Sequence, residues 1–261
     1  MTDLGYARHC DEVVRQTDLL RAVLVDADLT AKVPTCPGWT LGHLARHVGG
    51  AHRWVEAIVR TKASEAVPED QVPDFAGPGD AEPAALDAWL EEGARKAVDA
   101  LRTAGPDAEV WSWNGDNSTA FWARRMAHET VVHRADAAIA AGIVFEVDPD
   151  VASDTIDEWL EIVAWVQSTG TDEQVKELRR GGGRSLHLHA TDVPGAEWLI
   201  EFGEDGFTWR RGHEKATVAL RGPLTDVLQV FYRRLPADSD RVEVLGEAQL
   251  LDFWLERSSF G

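Results

Sequence analysis

The spacing of apolar residues changes once along this chain, and that change restricts the folds open to it. Up to about residue 169, long segments carry apolar side chains three and four residues apart, which is the period of amphipathic helices. From Arg184 onward the pattern turns to short alternating runs separated by turn residues, which is typical of strands. The length of 261 residues also suits two domains. We therefore predict a two-domain α+β protein, with domains at residues 1–145 and 146–261.

The first domain is predicted to be a four-helix bundle. Helices are expected at about residues 2–27, 41–61, 83–103 and 118–141, with Thr40 capping the second and Gly142 ending the fourth. The segment VPEDQVPDFAGPGDAEP (67–83) is rich in proline, glycine and acid, so it is expected to be an exposed irregular loop. Whether this loop acts as a lid stays open.

The second domain is predicted to begin with a connector helix at about residues 148–170. The strands expected after it are RSLHLHAT, AEWLIEFG, GFTWRRG, KATVALRG and RVEVLG, with helices at about residues 224–234 and 247–257. The cluster RRGGGR (179–184) lacks the spacing of a phosphate-binding loop, and we interpret it as a flexible linker between the domains.

Charge and composition narrow the classes of function. The chain has 45 acidic and 26 basic side chains, and the resulting net charge of −19 disfavours nucleic acid and anionic membrane surfaces as partners. It has no apolar run approaching the roughly 18 residues of a membrane span and no signal-peptide pattern, so we expect a cytoplasmic protein. The two cysteines, Cys10 and Cys36, are too few for a disulfide framework and are expected to be buried thiols.

The stretch AHETVVHR (127–134) superficially resembles the helix of a zinc protease. Its histidines His128 and His133 are five residues apart instead of four, so a straight helix separates them by roughly 140°. Glu129 and His133, however, are four apart and share one face. That face is otherwise apolar, so a carboxylate and an imidazole interrupt a core-facing stripe. In bundle cores, facing Glu and His side chains are the usual ligands of metal ions.

The second helix offers a third ligand. His47 lies next to the inward stripe formed by Leu44 and Ala51, so His47, Glu129 and His133 are predicted to hold one divalent ion and leave a position open. A purely structural interpretation also stands on the residues alone. In it, Glu129 pairs with His133 or Arg125, and His47 is a core histidine with its hydrogen bonds satisfied.

Two long segments resemble a known family. PGWTLGHLARHVGGAHRW and AFWARRMAHETVVHRADA are similar to the mycothiol-dependent maleylpyruvate isomerase family, whose N-terminal domain is a DinB-like four-helix bundle. SLHLHATDVPGAEWLIEF, VALRGPLTDVLQVFYRRLP and VEVLGEAQLLDFWL resemble the sterol-carrier-like α+β domain that follows it in that family. The resemblance covers nearly the whole chain.

The resemblance implies a function. Carried over residue by residue, the family's metal ligands fall on His47, Glu129 and His133, with zinc as the usual ion and mycothiol as the thiol cosubstrate. The expected activity is that of an isomerase or S-transferase, in which a thiolate activated by the metal attacks a small electrophilic substrate. A non-catalytic protein that binds a metal or a small molecule through the same bundle is the alternative. The substrate, the ion and the oligomeric state stay open.

The roles of five further residues are expected from the same resemblance. Arg234, in YRRLP, matches an arginine of the family and is predicted to contact substrate or thiol; a solvated helix end is the competing interpretation. His43 and His128 match no ligand position and are expected next to the site or at the surface. His187 and His189 alternate on one strand and could chelate an ion on one face, but a structural role is favoured.

Overall fold

A computed structural model describes residues 4–80 and 82–258, and their contacts divide the chain into two compact units. The unit of residues 4–145 is helical. The unit that begins at Glu146 combines helices with a mixed sheet. The predicted fold class, a helical bundle followed by an α+β domain, is confirmed.

The first unit is a four-helix bundle. Its helices are α1 (Tyr6–Leu24), α2 (Leu41–Thr61), α3 (Pro83–Ala104) and α4 (Thr119–Ala141). The α1 and α2 helices each pack against both α3 and α4. The Thr40 hydroxyl caps α2 by accepting a hydrogen bond from the backbone N–H of His43 at 3.2 Å, and Gly142 ends α4 in the left-handed conformation at φ 67°.

The bundle core is interrupted by a polar layer. Of its two apolar clusters, one receives Trp122 and Met126 from α4, and the other receives Ala137 from the same helix. Glu129 and His133 lie between these positions along α4, as the interrupted stripe predicts. The two polar side chains therefore need partners from neighbouring elements.

The loop after α2 is more firmly attached than its composition suggests. It is irregular apart from one 3₁₀ turn at Glu69–Gln71, as predicted. Yet Trp54 Nε1 donates to the Val67 carbonyl at 2.7 Å, and Trp89 Nε1 donates to the Asp74 carbonyl at 3.0 Å. Trp89 also packs on Gly49, where an added Cβ would lie 2.1 Å from a ring carbon. The loop is thus anchored to α2 and α3.

The second unit surrounds a five-stranded sheet. Its helices are α5 (Pro149–Thr169), α6 (Glu173–Lys176), α7 (Leu224–Phe231) and α8 (Ala248–Arg257), and its strands are β1 (Ser185–Ala190), β2 (Glu197–Gly203), β3 (Gly206–Arg211), β4 (Val218–Gly222) and β5 (Glu243–Gly246). The strand order is β3-β2-β1-β4-β5, and of the strand pairs only β1 and β4 run parallel. Among residues 4–80 and 82–258, no helix is long and apolar enough to cross a membrane.

The interpretation of RRGGGR as a flexible linker is wrong. A 3₁₀ turn covers Glu177–Gly181, and the segment packs on the sheet of the second unit. A Cβ on buried Gly181 would lie 2.5 Å from the Phe202 ring, and the Gly183 N–H donates to the Phe202 carbonyl at 2.8 Å. The missing side chain of Gly181 therefore lets the backbone approach β2 closely, and glycine composition alone does not distinguish this packing from mobility.

Candidate metal centre

The three predicted ligands converge on one point in the bundle. The Nε2 atom of His47, on α2, lies 2.8 Å from Oε1 of Glu129, on α4. The Nε2 atom of His133, one turn further along α4, lies 3.1 Å from the same oxygen. The rings of His47 and His133 meet edge to face with their centroids 4.8 Å apart. The helical spacing of Glu129 and His133 thus places both on the face that α2 contacts.

This arrangement fits a divalent ion of the zinc class. The three ligand atoms lie within 4.8 Å of one another. Zinc binds imidazole nitrogen and carboxylate oxygen at about 2.0–2.2 Å, which puts the ligand atoms of a tetrahedral site roughly 3.3 Å apart. The His47 side chain is 40% exposed, whereas that of His133 is 12% exposed. The centre therefore opens to solvent at His47, where an exogenous ligand can enter.

Asp136 positions the His133 ring. Its carboxylate is fully buried, and its Oδ2 atom lies 2.9 Å from Nδ1 of His133. Thr35 Oγ1 donates to Oδ1 of Asp136 at 2.5 Å, and Cys36 Sγ lies 3.4 Å from Oδ2. A hydrogen bond from Nδ1–H to a carboxylate directs Nε2 toward the ion and makes it more basic, as partners of metal-bound histidines commonly do. Asp136 is not among the residues predicted from the sequence, although its position three residues after His133 is a usable signal.

Trp39 forms an aromatic wall of the centre. It lies in the turn that precedes α2, and its ring centroid is 4.9 Å from that of His47 and 5.8 Å from that of His133. The turn 34–40 therefore contributes Thr35, Cys36 and Trp39 to the surroundings of the ligands. This packing restricts the rotation of both imidazoles.

Arg125 neutralises the carboxylate from the other side. Its guanidinium donates to Oε2 of Glu129 at 3.1 Å, as the structural interpretation expects. Burial raises the pKa of Glu129, but the charges and hydrogen bonds of His133, His47 and Arg125 outweigh burial and hold that pKa well below its ordinary value. Burial likewise lowers the pKa of His133, yet Glu129 and Asp136 raise it well above its ordinary value. The two carboxylates thus favour the imidazolium form of His133, and a cation arriving at Nε2 competes with that proton.

The other singled-out residues are not among these converging ligands. His43 is exposed. His128 is expected either next to the site or at the surface. It is fully buried, with its ring centroid 5.8 Å from that of His9, and this burial excludes the surface. Arg234 belongs to the second unit, where its guanidinium donates to the Tyr232 carbonyl at 2.7 Å, next to the end of α7. Its contact with substrate or thiol stays a prediction.

Comparisons with known proteins identify relatives of both units. The family model described as the mycothiol maleylpyruvate isomerase N-terminal domain matches residues 10–138, and the model described as the MDMPI C-terminal domain matches residues 150–253. A crystal structure of the mycothiol-dependent maleylpyruvate isomerase superposes with a TM-score of 0.60 at 19% identity, covering 94% of this chain and 95% of that one. A histidine-to-alanine mutant of that isomerase gives a TM-score of 0.57 at 19% identity, with coverages of 94% and 95%. No curated protein sequence matches. At these identities the structural likeness shows the fold alone.

Proposed function

The chain belongs to the mycothiol maleylpyruvate isomerase family, and on that premise we propose that it is a mycothiol-dependent enzyme with a divalent metal held by His47, Glu129 and His133. Zinc is the ion that two imidazoles, one carboxylate and an open position suit best. The observation that carries the proposal is the convergence of both histidine Nε2 atoms on Glu129 Oε1, at 2.8 and 3.1 Å.

The residues of the centre have separate tasks in this proposal. A bound zinc ion supplies a positive charge that lowers the pKa of a thiol at the open position, so that thiolate is present at neutral pH. Asp136 keeps the His133 ring oriented, and Arg125 holds the second oxygen of the Glu129 carboxylate. The exposed side of His47 is where mycothiol enters in this proposal, because the His47 side chain is 40% exposed, against 23% for Glu129 and 12% for His133.

The proposed reaction begins when the thiolate sulfur adds to a carbon of a small electrophile. In an isomerase the electrophile is a cis double bond conjugated to a carbonyl. The new carbon–sulfur bond converts the double bond to a single bond, rotation follows, and expulsion of the thiolate restores the double bond in trans geometry without net change in atoms. In an S-transferase the sulfur stays on the product and a proton is added to the neighbouring carbon. Both outcomes use the same nucleophile and the same protein ligands.

The test supplies zinc-loaded protein with mycothiol and a panel of electrophiles that includes maleylpyruvate. We expect the wild type to consume one of these electrophiles. His133→Ala should lose that activity, because one of the three metal ligands is gone. His43→Ala is the matched control, since it removes an exposed imidazole of α2 that is not one of the converging ligands. The proposal is wrong if the wild type consumes none of the panel, or if His133→Ala is as active as His43→Ala.

Product analysis separates the alternatives within the same experiment. A recovered thiol with an isomerised product indicates an isomerase, and a thioether product indicates an S-transferase. Mycothiol that binds in a calorimeter without consumption of any electrophile indicates the non-catalytic binding protein instead.

A further inference from the structure

A second group of potential metal ligands lies in the α+β unit, outside the centre described above. It consists of His187 and His189 from β1, Glu197 from β2 and His213 from the segment after β3. We propose that these four side chains form a second site for a divalent transition-metal ion of the zinc class. This inference does not depend on the proposed function, because the residues concerned are distinct from the bundle ligands.

The sheet geometry brings the four side chains together. His187 and His189 are two residues apart on β1, so they project from the same face. Glu197 is the residue directly opposite His189 in the antiparallel register of β1 and β2. The Gly212 N–H donates to the Glu197 carbonyl at 3.1 Å, and this bond holds the chain beside Glu197 just before His213. Two neighbouring strands and the segment that follows β3 therefore supply the ligands.

All three imidazoles point at a single carboxylate oxygen. Glu197 Oε2 lies 2.9 Å from Nε2 of His187, 3.1 Å from Nδ1 of His189 and 2.5 Å from Nδ1 of His213. The ring centroids of the three histidines are 5.3 to 5.4 Å apart, and the rings meet edge to face. A carboxylate oxygen has about two lone pairs, so three donors exceed what it can accept.

His187, the most buried of the three histidines, shows directly that there are more donors than the carboxylate oxygen can accept. His187 is 5% exposed, and its Nε2 atom has no hydrogen bond of acceptable geometry to any residue within the described ranges, despite its 2.9 Å distance from Glu197 Oε2. A buried polar atom without a hydrogen bond is energetically unfavourable. A cation among the four side chains removes that penalty, since it binds the nitrogen lone pair directly.

The guanidinium of Arg221 does not compete for the Glu197 carboxylate. Arg221, on β4, is the register partner of His189 on the other side of β1. Its guanidinium donates to Glu243 at 2.8 Å instead. Glu197 is left with the three imidazoles as its charge partners among the described ion pairs.

The donor set indicates the type of ion and its role. Three imidazole nitrogens and one carboxylate oxygen suit zinc, cobalt and nickel better than magnesium or calcium, which prefer oxygen ligands. All four ligand atoms lie within 4.8 Å of one another. Small side-chain rotations can bring these atoms to the spacing that ligand atoms have around a bound ion. Four protein ligands complete a tetrahedral zinc site without an open position, so its role is to tie together β1, β2 and the segment after β3. The His213 side chain is 70% exposed and gives the ion a route from solvent.

The test measures zinc binding to the full chain after removal of metals by a chelator. In the double variant His47→Ala/His133→Ala, which lacks two bundle ligands, we expect one zinc ion per chain to remain bound. Adding His213→Ala should weaken that binding at least about tenfold, since even a residue that only orients a metal ligand contributes about 10–100-fold. Adding His43→Ala, which removes an exposed imidazole outside both groups, should leave the affinity unchanged. His213 is exposed, so its replacement is expected to preserve the fold, and circular dichroism of each variant checks this.

The proposal fails if the double variant binds no zinc, or if His213→Ala and His43→Ala have equal affinities in that background. Should the double variant not fold, the wild type and the single variant His213→Ala decide the question by stoichiometry. Two zinc ions per wild-type chain, reduced to one at the same free zinc concentration in His213→Ala, support the second site. One ion in both proteins contradicts it.

Discussion

Replacement of Asp136 by asparagine tests whether this carboxylate positions the metal ligand His133. The carboxylate accepts hydrogen bonds from Thr35 at 2.5 Å and from His133 at 2.9 Å, and it is fully buried. Asparagine keeps the shape but has one acceptor oxygen and no charge, so the bond to Nδ1 is weakened or lost. A hydrogen bond to a charged group contributes about 1.5–3 kcal/mol, against about 0.5–1.5 kcal/mol for a neutral one. Complete loss of the charged hydrogen bond therefore corresponds to zinc affinity about 10–100-fold lower, the range found for partners of metal-bound histidines.

The assay is calorimetric titration of chelator-treated protein with zinc, in a background without the second site (His213→Ala) so that one binding event is measured. Thr35→Val is the matched control, because it removes another hydrogen bond to the same carboxylate while leaving the bond to His133 intact. We expect a much smaller loss of affinity for Thr35→Val than for Asp136→Asn. The reasoning is refuted if Asp136→Asn binds zinc as tightly as the background protein, or if Thr35→Val weakens binding equally.

Three further predictions follow from buried groups. Burial lowers the pKa of His52 from 6.5 to about 4, so the contribution of this residue to the free energy of unfolding is full above pH 6.5 and falls by up to about 3 kcal/mol as the pH drops to about 4. Urea titrations at pH 7 and at about pH 4 should show a smaller loss of stability for His52→Leu than for the wild type, and an equal loss would contradict this. Gly49→Ala should destabilise the bundle by about 1–3 kcal/mol in urea titrations, because the added Cβ would collide with the Trp89 ring. A gain in stability, which is the usual effect of Gly→Ala within a helix, would instead show that the Trp89 ring moves freely. Zinc affinity of the bundle centre should fall as the pH drops below the raised pKa of His133, because zinc displaces the proton of that imidazole. A pH-independent affinity, again measured in the His213→Ala background, would rule out that exchange.

Much of the fold could be predicted from the sequence, because its signals are local. Thr40 and Gly142 mark helix ends through capping and left-handed backbone, and the alternation in SLHLHA marks a strand without knowledge of its neighbours. Glu129 and His133 share a face by helical spacing alone, so their proximity also followed from the sequence.

What could not be predicted depends on contacts between distant segments. The turn that carries Thr35 and Trp39 reaches Asp136 and His133 across about a hundred residues of chain. Similarly, His187 and His189 were visible as a pair, but the register that places Glu197 opposite His189 is set by the packing of the whole sheet. Glycines 181–183 were misinterpreted for the same reason, since only the position of Phe202 shows that the backbone packs closely there.

The most direct test of the account is an anomalous difference map at the zinc edge from crystals of the full chain, purified without chelator and supplied with zinc. We predict a peak within bonding distance of His47 Nε2, Glu129 Oε1 and His133 Nε2. Well-ordered side chains at these three residues with no peak between them would contradict the central claim that they form a metal centre.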